Sequence, residues 1–407
     1  VAAPTNGHRA KKGIRLASDG GQHGAARELG ERAREALKRR DAAAALALLR
    51  QAEALKPTVE VFLDKALALR MLGDHAQAVE ALEGALVIDP RNFLALLSKG
   101  ALLERLGRER ESVFVYKAAI AVGPPAGDLP PGLAEALRQA RRSVAADAEA
   151  LAARLMASVA DLRAKFAGET FERFDESLEI YAGRARAFVQ EPLLLHYPRL
   201  PAIPFFDRSH FVWLADLEAA SETMRGELIA LRQEAADDFA PYIAFPPGVP
   251  VNQWGDLNHS RKWSSYFLWR NGERQADACA RCPKTAAVLE RLPMADQPGY
   301  APTAMFSVLE GGGHIPAHTG STNTRLVVHL PLILPGPARF RVGNVTRPWR
   351  MGEAWIFDDT IEHEAWNDAA EPRAILIFDV WNPLLSQAER ALVSAMMAAR
   401  KALENEG

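Results

Sequence analysis

Leu72-Gly73 recurs as Leu106-Gly107 and Pro90 recurs as Pro124, both at 34 residues, while Pro57 precedes Pro90, and Arg40-Asp41 precedes Gly73-Asp74, by 33. This period constrains the fold more than any other feature of the chain. A repeated unit so short cannot bury an apolar face alone and must stack on its neighbours. From about Ala25 to Pro125 the chain is rich in Ala, Leu, Glu and Arg, lacks tryptophan and carries apolar residues at helical spacing. Each unit therefore reads as two amphipathic helices. The Leu-Gly pair permits the turn between them, Ala78, Ala81 and Ala85 permit close packing, and Asp89-Pro90 stops the second helix.

The period is that of tetratricopeptide repeats, and about three units fit between residues 22 and 125. Residues 1–21, rich in Lys, Arg, Gly and His, are expected to be a disordered tail. Residues 126–191 read as a helical cap and linker: Pro124-Pro125 and Pro130-Pro131 bracket a loop, and a long helix runs from Gly132 to about Phe166. Pro192, Pro198, Pro201 and Pro204 then mark a boundary, and the remaining segment, 192–407, changes character. All eight tryptophans lie within it, between Trp213 and Trp381, as β-rich structure favours. Runs at Ala304–Leu309, Arg325–Leu334, Arg339–Val342, Ala354–Phe357 and Arg373–Trp381, broken by Gly and Pro, predict a double-stranded β-helix of jelly-roll, cupin-like type. Helix returns from Ser386.

A length of 407 residues agrees with this division, and 48% apolar with 25% charged residues is ordinary globular composition. The net charge of −2 gives no reason to expect nucleic acid or an anionic membrane as a partner. No apolar run approaches the roughly eighteen residues of a membrane span, and the N-terminus lacks a signal peptide's apolar core. A soluble, cytoplasmic protein is expected, with a removed leader or anchor left open by the start at Val1. Cys279 and Cys282 form Cys-x-x-Cys without a second pair or a thioredoxin-like setting, and read as buried or solvated thiols.

Four of the ten histidines, His314, His318, His329 and His363, fall within one stretch of the β-rich segment, followed by Arg373 at the head of an apolar strand. Two imidazoles suit an open ferrous site. An arginine deeper in the same structure suits the far carboxylate of a 2-oxoglutarate cosubstrate. The usual iron triad adds a carboxylate two residues after the first histidine, but that position is Gly320. Either water completes the metal's shell or a carboxylate arrives from elsewhere, with Asp359 the nearest candidate. His314 reads as a bystander, and Gly311-Gly312-Gly313 as a turn.

Around these residues the text becomes specific: His318-Thr319-Gly320-Ser321-Thr322-Asn323, Arg325, His329, Ile356-Phe357-Asp358-Asp359, His363-Glu364, Arg373 and Asp379-Val380-Trp381. From Ser307 to Pro383 the chain resembles the catalytic domain of aspartyl/asparaginyl β-hydroxylases, which share the glycine in place of the triad acid. The resemblance implies a dioxygenase using Fe(II), 2-oxoglutarate and O2. It implies His318 and His363 as iron ligands, Ser307 and Arg373 on the distal carboxylate of 2-oxoglutarate, His329 at its other end, and Asp359 ordering metal-bound water.

The chain departs from the family pattern at Val327, where an arginine assists the 2-oxoacid end; Arg325, on the same strand face, is the candidate to compensate. Of the family's cysteine pair only Cys279 matches, opposite Ala286, and the charged residues that grip peptide are not found between Gly255 and Lys262. Asp359 or Glu364 is the expected orienting partner of the histidines. Tetratricopeptide arrays commonly receive extended peptide, which favours a peptide or protein substrate hydroxylated on an Asp or Asn side chain. The rivals are the same chemistry on a free amino acid, lipid or other small molecule, and a non-catalytic scaffold whose β domain binds a ligand.

Overall fold

The computed structural model describes residues 11–406, with side chains from 22 to 404. The chain divides into two compact units, Val1–Ala185 and Arg186–Gly407. The expected disordered tail lies outside the described residues over 1–10, and from residue 11 onward the chain is drawn as the first helix.

The first unit is a tetratricopeptide-like solenoid. Its helices are α1 (Lys11–Lys38), α2 (Ala42–Leu55), α3 (Val59–Met71), α4 (His75–Ile88), α5 (Phe93–Arg105), α6 (Glu109–Val122), the long α7 (Pro131–Ala164) and α8 (Glu172–Ala182). Four starts are fixed by the chain's own caps. Side-chain oxygens of Asp41, Thr58, Asp74 and Asn92 accept from the backbone N–H three residues on, at 3.0–3.3 Å. Within each pair the turn needs a left-handed residue. Gly73 (φ 82°) and Gly107 (φ 71°) supply it, and in the first pair Arg40 stands there at φ 60°. The buried faces of α1 to α7, led by Ala45, Leu49, Leu69, Leu82, Leu103 and Tyr116, form one continuous core.

In the second unit, α9 (Leu214–Ala219) and α10 (Ser221–Glu234) precede strands β1 (Ala240–Pro241), β2 (Trp263–Arg270) and β3 (Glu273–Arg274), followed by α11 (Ala276–Arg281) and α12 (Pro283–Leu289). Then come β4 (Ala304–Leu309), β5 (His314–His318), β6 (Arg325–Ile333), β7 (Ala338–Val342), β8 (Val345–Pro348), β9 (Trp355–Phe357), β10 (His363–Asn367), β11 (Arg373–Trp381) and the terminal helix α13 (Gln387–Glu406). The large sheet has the order β1-β2-β4-β11-β6-β9, with β3 beside β2; the small one is β5-β10-β7-β8.

This corrects the expected double-stranded β-helix. The strands pair as two separate open sheets; neither closes on itself and no ladder joins them. The edges explain why. β9 has three residues and its free side meets only an isolated bridge to Phe205, while β8 ends in Pro348, which has no N–H to offer another strand. The alternation of the large sheet assigns its faces. Leu326, Val328, Leu330, Leu376 and Phe378 pack with α10 and α12, whereas Val327, Leu309 and Ile375 face Phe340, Val342 and Ala365 of the small sheet. Arg325, His329, Ser307 and Arg373 share the second parity and therefore point between the sheets.

The turn positions of the repeats give a test. Arg40→Gly should raise stability by about 0.5–1 kcal/mol, because relief of a left-handed Cβ outweighs the added chain entropy. Gly73→Ala, whose Cβ would meet nothing within 4 Å, should lower stability by about 1 kcal/mol through conformation alone. Thermal unfolding of the two variants in opposite directions is the expected result.

Candidate active site

The antiparallel pairing of β5 with β10 sets His318 directly opposite His363, so two residues far apart in the chain present their imidazoles side by side, with ring centroids 4.1 Å apart. Backbone carbonyls orient both rings: Nδ1 of His318 donates to the oxygen of Pro316 at 2.7 Å, and Nδ1 of His363 to that of Ile361 at 3.0 Å. A carbonyl only accepts, so the Nδ1 of each carries the proton and Nε2 keeps its lone pair. Burial pushes both pKa values down, His363 well below the ordinary histidine range. Two neutral imidazoles with free Nε2 atoms are a donor set that fits a divalent transition metal.

No cluster of three or more His, Cys, Asp or Glu that could hold a metal occurs among the described residues. The two histidines thus have no carboxylate beside them as a third protein ligand. Gly320 shows why the acid of the usual triad cannot stand at its position. Its N–H donates to the backbone oxygen of Asp359 at 2.6 Å, and a Cβ there would lie 1.7 Å from Asp359 Oδ2. The Asp359 carboxylate fills that space. Its Oδ1 is enclosed without a partner, and burial raises its pKa to about 8, opposed by Arg325 and reinforced by Asp358 and Asp379. Asp358 is structural: Gln190 Nε2, Thr360 N and Thr360 Oγ1 all donate to its carboxylate.

Ten buried side-chain polar atoms among the described residues have no hydrogen-bond partner, and eight of them belong to Ser265, Arg325, His329, Trp349, Trp355, Asp359 and Arg373. All seven sit on the face between the sheets or at its rim, so the missing partners share one place. Arg373 is 1% exposed, with Nε and Nη1 unpartnered and its guanidinium 4.5 Å from the centre of the Trp349 ring. Burial alone pulls its pKa down to about 9, with no carboxylate among the causes. A buried cation without an anion calls for an anionic ligand. Burial, and then Arg373 and His318, push the His329 pKa well below the ordinary histidine range, and the Phe357 ring, 4.8 Å from that of His329 and 5.3 Å from that of His363, lies against both parts of the site. Ser307 Oγ accepts from the Trp263 indole at 3.0 Å.

Several of the other candidates are engaged by protein partners. Arg325 is engaged: its Nη1 donates to Gln297 Oε1 and to the oxygen of Tyr300, each at 3.3 Å, and its Nε lies 3.9 Å from Asp379 Oδ2. Glu364 turns to Arg341 and His314, so the histidines take their orientation from backbone carbonyls rather than from its carboxylate. His314 is exposed and stacked on Trp366, clear of the paired imidazoles. Cys279 and Cys282 are buried free thiols, both with pKa values raised by burial.

The aromatic wall was not read from sequence. Trp254 meets the His318 ring edge-on at 5.0 Å, Trp263 stacks with Trp254 at 6.0 Å, and Tyr242 lies 4.2 Å from Trp263. Its only linear signal was the tryptophan content of this segment.

The profile of the aspartyl/asparaginyl β-hydroxylase family matches residues 218–383. The chain is 28% identical over 338 residues to the human aspartyl/asparaginyl β-hydroxylase, covering 80% of this chain and 39% of that protein. It is 35% identical over 203 residues to an ornithine lipid ester-linked acyl 2-hydroxylase of Rhizobium tropici, covering 49% of this chain and 67% of that one. The Arabidopsis OM64 TPR domain is similar to 30% of the chain, at 23% identity with a TM-score of 0.27.

Gly320→Ala should cost about 1–3 kcal/mol, the usual range for overpacking. Adding Asp359→Gly in the same chain should restore most of the loss. Denaturant unfolding reads both; a neutral Gly320→Ala would show that Asp359 does not fill the space.

Proposed function

Because the chain belongs to the aspartyl/asparaginyl β-hydroxylase family, we propose that it is a hydroxylase dependent on Fe(II), 2-oxoglutarate and O2, with His318 and His363 holding the metal. The observation that carries this reading is the group of unpartnered donors around buried Arg373, next to two neutral imidazoles. Each enclosed donor left without an acceptor costs about 1–3 kcal/mol, a cost that an oxygen-rich dianion removes.

A bound ferrous ion supplies the redox chemistry that couples loss of CO2 from 2-oxoglutarate to insertion of an oxygen atom into a substrate C–H bond. The chain's own residues bind and orient. Pro316 and Ile361 carbonyls fix the proton of each imidazole on Nδ1, which leaves Nε2 with a lone pair that would hold the metal. Arg373 receives the distal carboxylate of 2-oxoglutarate, with Ser307 beside it on the neighbouring strand and His329 towards the opposite end. The Asp359 side chain, held against Gly320, would order water at a bound metal. Arg325, paired with Asp379 and opposing the rise in the Asp359 pKa, stabilises the 2-oxoacid end through that network, in the place left by Val327. Trp254, Trp263 and Tyr242 screen His318 from water.

The substrate proposed first is an Asp or Asn side chain of a peptide or protein, supported by the tetratricopeptide-like unit, whose stacked pairs offer the kind of surface that receives extended chains. A lipid acyl chain is the second reading. The activity named for the Rhizobium relative and the aromatic wall beside His318 favour it.

Succinate formation from 2-oxoglutarate under air with ferrous iron should fall at least about a hundredfold in His318→Ala and in His363→Ala. Arg373→Ala should instead raise the KM for 2-oxoglutarate. Offering Asp/Asn peptides and ester-linked lipids separately, with mass spectrometry for one added oxygen, distinguishes the two substrates. If wild type makes no succinate with either and 2-oxoglutarate does not bind, the hydroxylase reading fails.

A further inference from the structure

Trp349 follows β8, and its backbone N–H donates to the oxygen of Ala338 at 3.0 Å, which anchors it to the start of β7. The residue is 4% exposed and its ring packs in an aromatic cluster, 5.6 Å from Phe340 at an interplanar angle of 20° and 5.9 Å from Trp355 at 22°. Against this ring lies the Arg373 guanidinium, 4.5 Å from its centre, and the His329 ring is 6.0 Å away. The indole nitrogen Nε1 is fully enclosed and has no partner. An indole N–H is a donor only, so what it lacks is an acceptor. The same is missing beside it, at Nε and Nη1 of Arg373.

We propose that Trp349 is part of the cosubstrate site: its Nε1–H donates to the distal carboxylate of 2-oxoglutarate alongside Arg373, while its ring face supports the guanidinium from behind. This rests on the 2-oxoglutarate reading above. Two features of Trp349 serve the site separately. The ring supports the buried guanidinium by a cation–π contact, which is strongest where water is excluded. The N–H adds a directed donor whose position is fixed by packing before the ligand arrives, so little ordering is left to be done on binding.

The test uses the whole 407-residue chain loaded with Mn(II) in the absence of oxygen, which reads binding without turnover. Calorimetry would compare 2-oxoglutarate with 2-oxopentanoate, which keeps the 2-oxoacid end and replaces the distal carboxylate by a methyl group. Trp349→Phe should raise the Kd for 2-oxoglutarate about tenfold, as loss of a hydrogen bond to a charged group does, and change that for 2-oxopentanoate by less than about twofold. Arg373→Ala should show the same selectivity, more strongly. An unchanged Kd in Trp349→Phe, or equal weakening of both ligands, overturns the role of Trp349. Wild-type protein that binds no 2-oxoglutarate removes the cosubstrate reading itself, a separate result. Should Trp349→Phe fail to fold, 3-benzothienylalanine at position 349, which exchanges the N–H for sulfur in the same shape, tests the donor alone against the same two ligands.

Discussion

The register between β5 and β10 is the constraint on which the site depends. Side chains in a strand alternate faces, so a slip of one residue would send either imidazole to the outer surface of the small sheet. The inter-sheet core holds the register in place, because Ile315 and Ala365 must point with Phe340 and Val342 towards Leu309, Val327 and Ile375 of the large sheet for that core to close. Packing and donor geometry are thus one requirement. The bulge between His363 and Ala365 adjusts the strand just beyond the histidine pair and leaves the pair itself in direct opposition.

Between the sheets the protein maintains a group of polar atoms that folding alone does not satisfy. A buried arginine, a neutral histidine, two indoles and a carboxylate oxygen lack partners there. The surrounding apolar packing has to offset their cost, and it does so from both sides: Phe306, Leu330, Leu376 and Phe378 on the helix-covered face, Phe340, Phe357 and Ile375 on the other. Polar groups buried in this way are organised before any ligand binds, which places the energetic penalty in folding rather than in recognition.

The helical unit follows a different logic. Its contacts are local, each pair resting on the next, and its precision comes from caps and turn residues repeated along the chain rather than from long-range register. Asp41, Thr58, Asp74 and Asn92 fix helix starts, and residues 40, 73 and 107 supply left-handed turns. Arg40 shows that the backbone conformation of this repeat outlasts the glycine that favours it.

Much of this was legible in the linear text wherever the signal is local. The 34-residue period foretold the stacked pairs, because caps, turns and apolar spacing all act within a few residues of one another. Strands β4, β6 and β11 stood out for their continuous apolar runs, whereas β5 and β10, which carry the paired histidines, did not: Pro316 interrupts one, and the other is mixed in polarity. The sequence by itself determined the repeat, the helix and turn chemistry, and the family motif around His318, His363 and Arg373. Only the tertiary structure decided that the sheets stay open, that Asp359 occupies the space beside Gly320, that Glu364 is committed to Arg341, and that Trp349 lies against Arg373. Those outcomes depend on which edges remain unpaired and which side chains from distant strands reach the same few cubic ångströms, and pairing and volume are properties of the folded chain alone.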